Sequence, residues 1–170
     1  MNIPLTPVRF FEYAEKIFKN KEGVVCEDKR FTYGEFCQRV RQMSNALQKL
    51  GIQRGDRVAY LGYNCHRLLE LFYAPIINGS ILEPLNIRLV AKDFAYIINE
   101  STPSILFLDR DFIPVIQSLQ GKIPSIKNFI ILEKEAGLPG WITGSYEELI
   151  AEASADRAYP LGTYPFDEDD

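Results

Sequence analysis

Residues 32–61 have the sequence TYGEFCQRVRQMSNALQKLGIQRGDRVAYL, and the architecture of the whole chain can be worked out from this stretch. The Thr32 hydroxyl can cap a helix while Glu35 reaches back to complete a capping box. Gly51 can adopt the left-handed conformation that ends a helix, and the closing RVAYL is an apolar run of strand length. Between Thr32 and Gly51, apolar residues recur at helical spacing: Phe36, Val40, Met43, Leu47 and Leu50. The stretch predicts a helix followed by a buried strand.

Strands and helices continue to alternate after this unit. Apolar runs of strand length occur at residues 81–82, 105–108 and 129–132. Helical patterns lie between them, over residues 64–79 with Asn64 as cap and a bend at Pro75, over residues 94–98, and over residues 113–119. Strands that are apolar along their whole length are covered on both faces. The sequence therefore predicts an α/β fold, with a doubly wound, largely parallel sheet and helices on both faces.

The first part of the chain predicts an amphipathic helix and a small β-hairpin. Thr6 and Pro7 suit the start of a helix. Two β-rich runs, residues 24–27 and 30–32, flank the polar pair Asp28-Lys29, which indicates a tight turn. Aromatic and aliphatic residues follow Pro7 at helical spacing: Phe10, Phe11, Ala14, Ile17 and Phe18. This face either packs internally, which we expect, or contacts a second copy in a homodimer.

The last part of the chain is poorer in regular structure. Residues 133–144 are predicted to form a loop, and Ser145 with Glu148 starts a short helix that runs to residue 153. Residues 155–170 are rich in Pro and Asp and show no periodicity. We therefore expect one α/β unit over residues 1–154, followed by a linker over residues 155–170. The given sequence is expected to stop within this linker and not at the natural end of the protein.

Composition narrows the class of protein. A chain of 170 residues with 46% hydrophobic content can bury a core, and its net charge of -4 without a basic run gives no reason to expect nucleic acid or an anionic membrane as partner. No window approaches the ~20 apolar residues of a membrane span, so we expect a soluble protein. Cys26, Cys37 and Cys65 form no pairing motif, which favours buried thiols in the cytoplasm.

Several kinds of chemistry are missing from this sequence. A dinucleotide site needs a glycine-rich turn between strand and helix, whereas the turn at Gly62 holds a single glycine and is interpreted as a plain tight turn. His66 is the sole histidine, and its chain neighbour Cys65 is poorly placed to share a metal or to act with it as a catalytic pair. We expect His66 to be a polar residue in the first turn of a helix. The acidic residues 167–170 are expected to be solvated.

Three segments together resemble the adenylate-forming family of acyl-CoA synthetases, luciferases and peptide-synthetase adenylation domains. FTYGEF at residues 31–36 is similar to the first core motif of that family, and GIQRGDRVA at residues 51–59 is similar to the segment after it. NGSILEPLNIRL at residues 78–89 resembles the second core motif in the form typical of fatty acyl-CoA ligases. The segments occur in the family's order, and the resemblance covers about residues 6–132.

The resemblance implies a reaction. A carboxylic acid, with a lean towards aliphatic ones, attacks the α-phosphate of ATP with the help of magnesium, and coenzyme A then displaces AMP to give a thioester. The phosphate-binding loop, metal-binding acid, ribose aspartate and mobile lysine of the family all come later than residue 170. The chain alone is therefore expected to be inactive, to hold no catalytic or metal-binding residue, and to bind none of ATP, Mg and CoA tightly.

Within the chain, Arg88 is the one residue that the resemblance singles out for cofactor binding. In related ligases the arginine of the Asn-x-Arg-Leu segment can face the nucleotide end of coenzyme A. A guanidinium suits a phosphate by its fork geometry and an adenine by stacking. The alternative for Arg88 is a capping or salt-bridging role in a loop, and Asn86 is interpreted as a turn-forming residue.

Two other classes of protein stay open at this point. The chain could be a stand-alone, non-catalytic module of the same fold that binds a partner or an acyl-CoA, or that forms dimers. It could also be an unrelated flavodoxin-like or receiver-type domain, because fold alone does not give function. A receiver needs clustered acidic residues at strand ends, and only Asp109 is well placed for that.

Overall fold

A computed structural model describes residues 6–156 of the chain. The elements follow one another as α1 (Pro7–Phe18), β1 (Glu22–Cys26), β2 (Lys29–Thr32), α2 (Tyr33–Lys49), β3 (Arg57–Leu61), α3 (His66–Leu71), α4 (Ala74–Ile77), β4 (Ile81–Pro84), α5 (Ala91–Ser101), β5 (Ile105–Leu108), a 3-10 turn (Arg110–Phe112), α6 (Ile113–Gln117), β6 (Asn128–Ile131), β7 (Gly144–Ser145) and α7 (Tyr146–Ala151). Most of the expected linker, and the acidic residues 167–170, lie outside the described residues.

The central sheet is five-stranded, with the order β4-β3-β5-β6-β7 and only parallel neighbours. β4 lies on one side of β3, whereas β5, β6 and β7 follow in chain order on the other side. Helices α1, α2, α3, α4 and α7 cover one face, and α5 and α6 cover the other. The predicted doubly wound, parallel α/β architecture is confirmed, and β1 and β2 form the predicted antiparallel hairpin beside it.

The core lies on both faces of the three middle strands. Tyr60 and Phe107 face the layer that contains α2 and α7, whereas Leu61 and Leu108 face α5 and α6. All four side chains are buried. The Phe107 ring meets the Tyr146 ring of α7 edge to face, with 5.6 Å between the centroids. Each strand therefore contributes to two apolar layers at once, which is why the strand sequences are apolar throughout.

Helix α2 begins as its sequence predicts. The Glu35 backbone N–H donates to Thr32 Oγ1 at 3.2 Å, and the Thr32 backbone N–H donates to Glu35 Oε2 at 2.8 Å. This reciprocal pair satisfies two donors that a helix start otherwise leaves unpaired. Gly51 follows the helix with φ of 86°, in the left-handed region. Buried Val40, Met43 and Leu47 confirm the predicted apolar face.

One predicted helix is broken rather than bent. Residues 64–79 contain two short helices, α3 and α4, which are separated by a turn at Phe72 and Tyr73. Pro75 lies in the first turn of α4, where its missing N–H leaves no helical bond unmade. The expectation of a bend at Pro75 was therefore wrong, because the proline starts a helix and does not interrupt one. Cys65, not Asn64, precedes α3.

Three smaller expectations also need correction. Cys26 pairs with Lys29, so the hairpin turns at Glu27-Asp28 rather than at Asp28-Lys29, and Glu27 takes φ of 53°. All three cysteines are free thiols, but only Cys37 is buried. The strand β7 was not predicted. It has only two residues and depends on parallel pairing with β6, so local sequence carries little signal for it.

The aromatic face of α1 is divided between core and surface. Phe11 is buried and stacks on Tyr73 with 5.4 Å between ring centroids, whereas Phe10 is 65% exposed. Internal packing, as expected, therefore holds for Phe11 but not for Phe10. Among residues 6–156, no helix has both the length and the apolar character that crossing a bilayer would require.

Candidate functional site

The carboxyl ends of the parallel strands form the candidate site. The loops that leave β3, β4 and β5 meet at this edge, at the place where the winding direction of the sheet reverses between β3 and β5. Ligands of open α/β sheets bind in the crevice outside the carboxyl ends of the strands at such a switch point. Two neighbouring cavities lie along this edge.

The first cavity, called here the Arg88 cavity, has a volume of about 380 Å³. It is lined by Tyr60, Gly62, Tyr63, Asn64, Leu68, Pro84, Leu85, Asn86, Ile87 and Arg88. The Arg88 backbone N–H donates to Asn86 Oδ1 at 3.0 Å, so Asn86 shapes the turn, as its residue type suggests. The Arg88 side chain is exposed, and within residues 6–156 no ion pair engages it. The guanidinium is therefore available to a ligand.

The loop after β3 forms one wall of the Arg88 cavity and is held firmly. Tyr60 donates its hydroxyl to the Tyr63 carbonyl at 2.7 Å, and the Tyr63 hydroxyl donates to Asp111 Oδ2 at 3.1 Å. A Cβ at position 62 would lie 3.0 Å from both Tyr60 Oη and Leu132 Cδ1. A larger residue at position 62 would be crowded by these neighbours, so glycine is needed there for packing. This agrees with the interpretation of the segment as a plain tight turn.

The second cavity, called here the His66 cavity, has a volume of about 240 Å³. It lies between the hairpin and the strand ends, and its walls include Cys26, Cys65, His66, Asp109 and Glu133. The structure therefore brings His66 together with two cysteines, a grouping that the sequence did not suggest. Among residues 6–156, no three His, Cys, Asp or Glu side chains stand close enough to hold a metal ion.

A network of charged side chains, buried at Glu70 and Arg67 and exposed at Glu133, lies beside the His66 cavity. Arg39 of α2 donates from Nε to Glu70 Oε1 at 2.6 Å and from Nη1 to Glu147 Oε2 at 3.0 Å. Arg67 donates from Nε to Glu147 Oε1 at 2.9 Å and from Nη1 to Glu133 Oε1 at 3.1 Å. The network ties α2, α3 and α7 together. Sequence reasoning missed it, because its members are far apart along the chain.

Glu147 shows the electrostatic effect of this network. Burial by itself raises the pKa of Glu147, but the His66 ring and the Arg39 and Arg67 guanidinium groups outweigh it. The result is a pKa well below the ordinary value of 4.5. The two guanidinium groups therefore keep the Glu147 carboxylate ionised at acidic pH values where an ordinary glutamate would be protonated.

Glu147→Gln is expected to reduce the acid sensitivity of the fold. Because the pKa of Glu147 is lowered on folding, its contribution to stability is complete above about pH 4.5 and is lost as the pH falls through the folded-state pKa. The variant should be less stable than the wild type near pH 7 and should lose less stability on acidification. Urea unfolding at about pH 7 and about pH 3 measures both effects. Glu100→Gln, on the exposed side of α5, is the control, and equal pH dependence in both variants would contradict the assignment.

The fold and the site define a doubly wound α/β unit whose ligand-binding edge lies at the carboxyl ends of its strands. A sequence profile described as AMP-binding enzyme matches residues 11–161, which is most of the chain. The chain belongs to this family of AMP-binding enzymes.

Similar sequences include CoA ligases from several organisms. The chain is 33% identical over 168 residues to the long-chain-fatty-acid–CoA ligase of Thermus thermophilus, and the match covers 91% of this chain and 30% of that protein. It is 35% identical over 159 residues to 4-hydroxybutyrate–CoA ligase 2 of Metallosphaera sedula, with coverage of 89% and 28%. The chain thus spans about 30% of the length of the curated relatives it matches.

Solved structures show the same fold. The anthranilate CoA ligase AuaEII in complex with anthranoyl-AMP superimposes with a TM-score of 0.84 at 21% identity, over 92% of this chain and 30% of that one. A long-chain-fatty-acid CoA ligase from Rhodopseudomonas palustris gives a TM-score of 0.79 at 23% identity, over 89% and 37%. At these identities the superpositions establish the fold.

Proposed function

We propose that this chain is part of an AMP-forming acyl-CoA synthetase. The enzyme would join a carboxylic acid to coenzyme A through an acyl-adenylate, with release of pyrophosphate and AMP. The observation that carries the proposal is the AMP-binding profile over residues 11–161, in a chain whose similar sequences include CoA ligases. The names of two of these relatives, for long-chain fatty acids and for 4-hydroxybutyrate, support an aliphatic acid as substrate.

This chain would supply the scaffold and the surface by which coenzyme A approaches, whereas other segments of the enzyme would carry the chemistry of ATP and Mg. Residues 1–154 would form the α/β unit, and residues 155–170 would link it to an ATP-binding loop. The chain alone would then be inactive and would bind no cofactor tightly. The coverage of about 30% of the relatives' length supports this division. A cytoplasmic location accords with the free thiols of Cys26, Cys37 and Cys65.

Arg88 is proposed to contact the nucleotide end of coenzyme A. Its support is the position of Arg88 in the wall of the Arg88 cavity, at the switch point of the sheet, with an exposed guanidinium. A volume of about 380 Å³ lies in the usual range for small-ligand sites. A planar guanidinium can pair with a phosphate through two parallel hydrogen bonds or stack on an adenine.

The coding sequence downstream of codon 170 provides the first test of the proposed function. A Ser/Thr/Gly-rich loop with a lysine within about twenty codons is expected, followed by the rest of the synthetase. The full-length protein, assayed with a panel of aliphatic carboxylates, ATP, magnesium and coenzyme A, should form thioester and AMP, whereas the 170-residue chain should not. A stop codon after residue 170 would instead favour a non-catalytic binding module.

Arg88→Ala in the full-length enzyme is expected to raise KM for coenzyme A about tenfold, equivalent to ~1.4 kcal/mol of lost binding. The rate of adenylate formation, followed by ATP–pyrophosphate exchange in the absence of coenzyme A, should stay unchanged, because coenzyme A takes no part in the proposed first half-reaction. Lys92→Ala, an exposed cation outside the cavity, is the matched control. An unchanged KM for coenzyme A in the Arg88→Ala enzyme would remove Arg88 from the site.

A further inference from the structure

Helix α1 presents an apolar stripe to solvent. Phe10 is 65% exposed, Tyr13 is 61% exposed and Ile17 is 51% exposed. Residues three and seven positions apart lie on one side of a helix, so these three side chains form one continuous surface. Phe11, on a different side of α1, is buried and stacks on Tyr73. Among the described residues, the stripe therefore stays open to solvent while the helix is held in place from its other side.

A row of cations borders the stripe. Arg9 comes four positions before Tyr13 and Lys16 comes three positions after it, which places both cations beside Tyr13 on one edge of the stripe. Lys19 follows at the end of the helix, and all three cations are exposed. Within residues 6–156, no ion pair engages any of them. The outward side of α1 thus combines large apolar side chains with positive charge.

The acidic residues of α1 are less exposed than its cations. Glu15 is half-buried, and its two carboxylate oxygens accept hydrogen bonds from Arg41 at 2.9 and 2.8 Å. Glu12 is half-buried as well. The net charge of -4 gave no reason to expect an anionic membrane as partner, but that figure is a sum over the whole chain. The local charge that α1 shows to solvent is positive.

We propose that the outward side of α1 docks on an anionic lipid membrane. Apolar side chains enter the boundary between headgroups and acyl chains, and Lys and Arg side chains beside them attract anionic headgroups. Tyr13 fits this boundary, because its ring is apolar and its hydroxyl is polar. A second copy of the chain fits less well, since an antiparallel two-fold pairing of α1 would bring the basic edges of both copies together. The docking does not depend on the proposed synthetase activity, and either one can fail without the other.

Sedimentation with lipid vesicles tests the docking. The 170-residue chain and the full-length enzyme are each mixed with phosphatidylcholine vesicles that contain about 30% phosphatidylserine, and with vesicles of phosphatidylcholine alone. We expect both proteins to bind the anionic vesicles at least about tenfold more tightly than the neutral ones, and to bind more weakly as salt is raised. No binding by the chain, or equal binding to both kinds of vesicle, would overturn the proposal. Binding by the chain but not by the full-length enzyme would do the same, because other segments of the enzyme would then cover this side of α1.

Two double variants separate the contributions of charge and of apolar contact. One combines Arg9→Glu with Lys16→Glu, and the other combines Phe10→Ser with Ile17→Ser. All four side chains are exposed, so both variants should fold, which far-ultraviolet circular dichroism checks. Each variant is expected to bind the anionic vesicles at least about tenfold more weakly than the wild type. Wild-type binding in both variants would remove α1 from the docking surface.

The matched control lies on α5. Lys92→Glu with Tyr96→Ser changes one exposed cation and one exposed aromatic residue there, and this variant should bind vesicles as the wild type does. Equal weakening in the control would assign the effect to the charge of the whole chain and not to α1. Self-association of the chain in solution that Phe10→Ser with Ile17→Ser abolishes would assign the stripe to a second copy. Either result would overturn the proposal.

Discussion

Replacing Arg39 with methionine is expected to destabilise the folded chain by about 3–5 kcal/mol. Arg39 donates to both carboxylate oxygens of Glu70, at 2.6 and 3.2 Å, and the Glu70 side chain has no exposed surface. Tyr146 adds a hydrogen bond to Glu70 Oε2 at 2.8 Å, but it brings no charge. Without Arg39 the Glu70 carboxylate stays buried and unpaired, which is the costly way to break an ion pair. Urea unfolding at neutral pH measures the loss.

An exposed pair provides the matched control for Arg39. Arg30 and Glu22 lie 3.2 Å apart across the hairpin, with side chains 59% and 51% exposed. Arg30→Met should cost less than about 1 kcal/mol, because solvent screens such a pair. The double variant Arg39→Met with Glu70→Leu should recover much of the stability, since it removes both buried charges. A loss of under about 1 kcal/mol in Arg39→Met would show that Glu70 does not depend on Arg39.

Phe107→Ala is expected to cost about 3–5 kcal/mol, through lost burial and the cavity left behind. Phe107 lies in the middle of β5, which is a central strand of the sheet, and its side chain is fully buried. It pairs edge to face with Tyr146, whose hydroxyl bonds to Glu70. The substitution therefore opens the apolar layer directly beneath the charged network. Urea unfolding gives the free energy, and the near-ultraviolet circular dichroism reports the loss of aromatic packing.

Tyr96→Ala is the comparison for Phe107. Tyr96 is an aromatic residue on α5 with 68% of its surface exposed, so its loss should change stability by less than about 0.5 kcal/mol. Similar losses in both variants would mean that the described core does not carry the stability of the unit.

The two cavities at the carboxyl edge differ in their charges. The Arg88 cavity combines an exposed guanidinium with mostly apolar walls, whereas the walls of the His66 cavity carry charges of both signs. The loop that carries Tyr63 borders both cavities. An anionic group is therefore expected at the Arg88 cavity.

Much of the fold could be predicted, because its signals are local. Thr32 and Glu35 lie three positions apart, and the capping box that they form confirms the predicted start of α2. The apolar runs of β3, β5 and β6 record burial on both faces, which indicated a parallel sheet before any contact was known. Arg88 was also singled out from sequence, by resemblance to a family motif, and the structure places it in the wall of a cavity.

Other features of the fold could not be predicted from local sequence patterns. The break at Phe72 and Tyr73 depends on Pro75 taking the first turn of a new helix, and helical spacing alone does not distinguish a start from a bend. The strand β7 exists only because Gly144 and Ser145 pair with two residues of β6. His66 looked like an ordinary polar residue, because the sequence does not reveal that the hairpin and β5 enclose it with Cys26 and Asp109.

The sequence by itself determined the class of fold, the family, and the residue that we propose for coenzyme A, since periodicity, capping and short motifs act over a few neighbouring positions. Only the tertiary structure decided that β3 lies between β4 and β5, which creates the switch point and its cavities. It also joined Arg39 to Glu147 across 108 positions of the chain. The physical reason is that such pairs are set by the packing of helices on a shared sheet, and no interaction between neighbours along the chain specifies them.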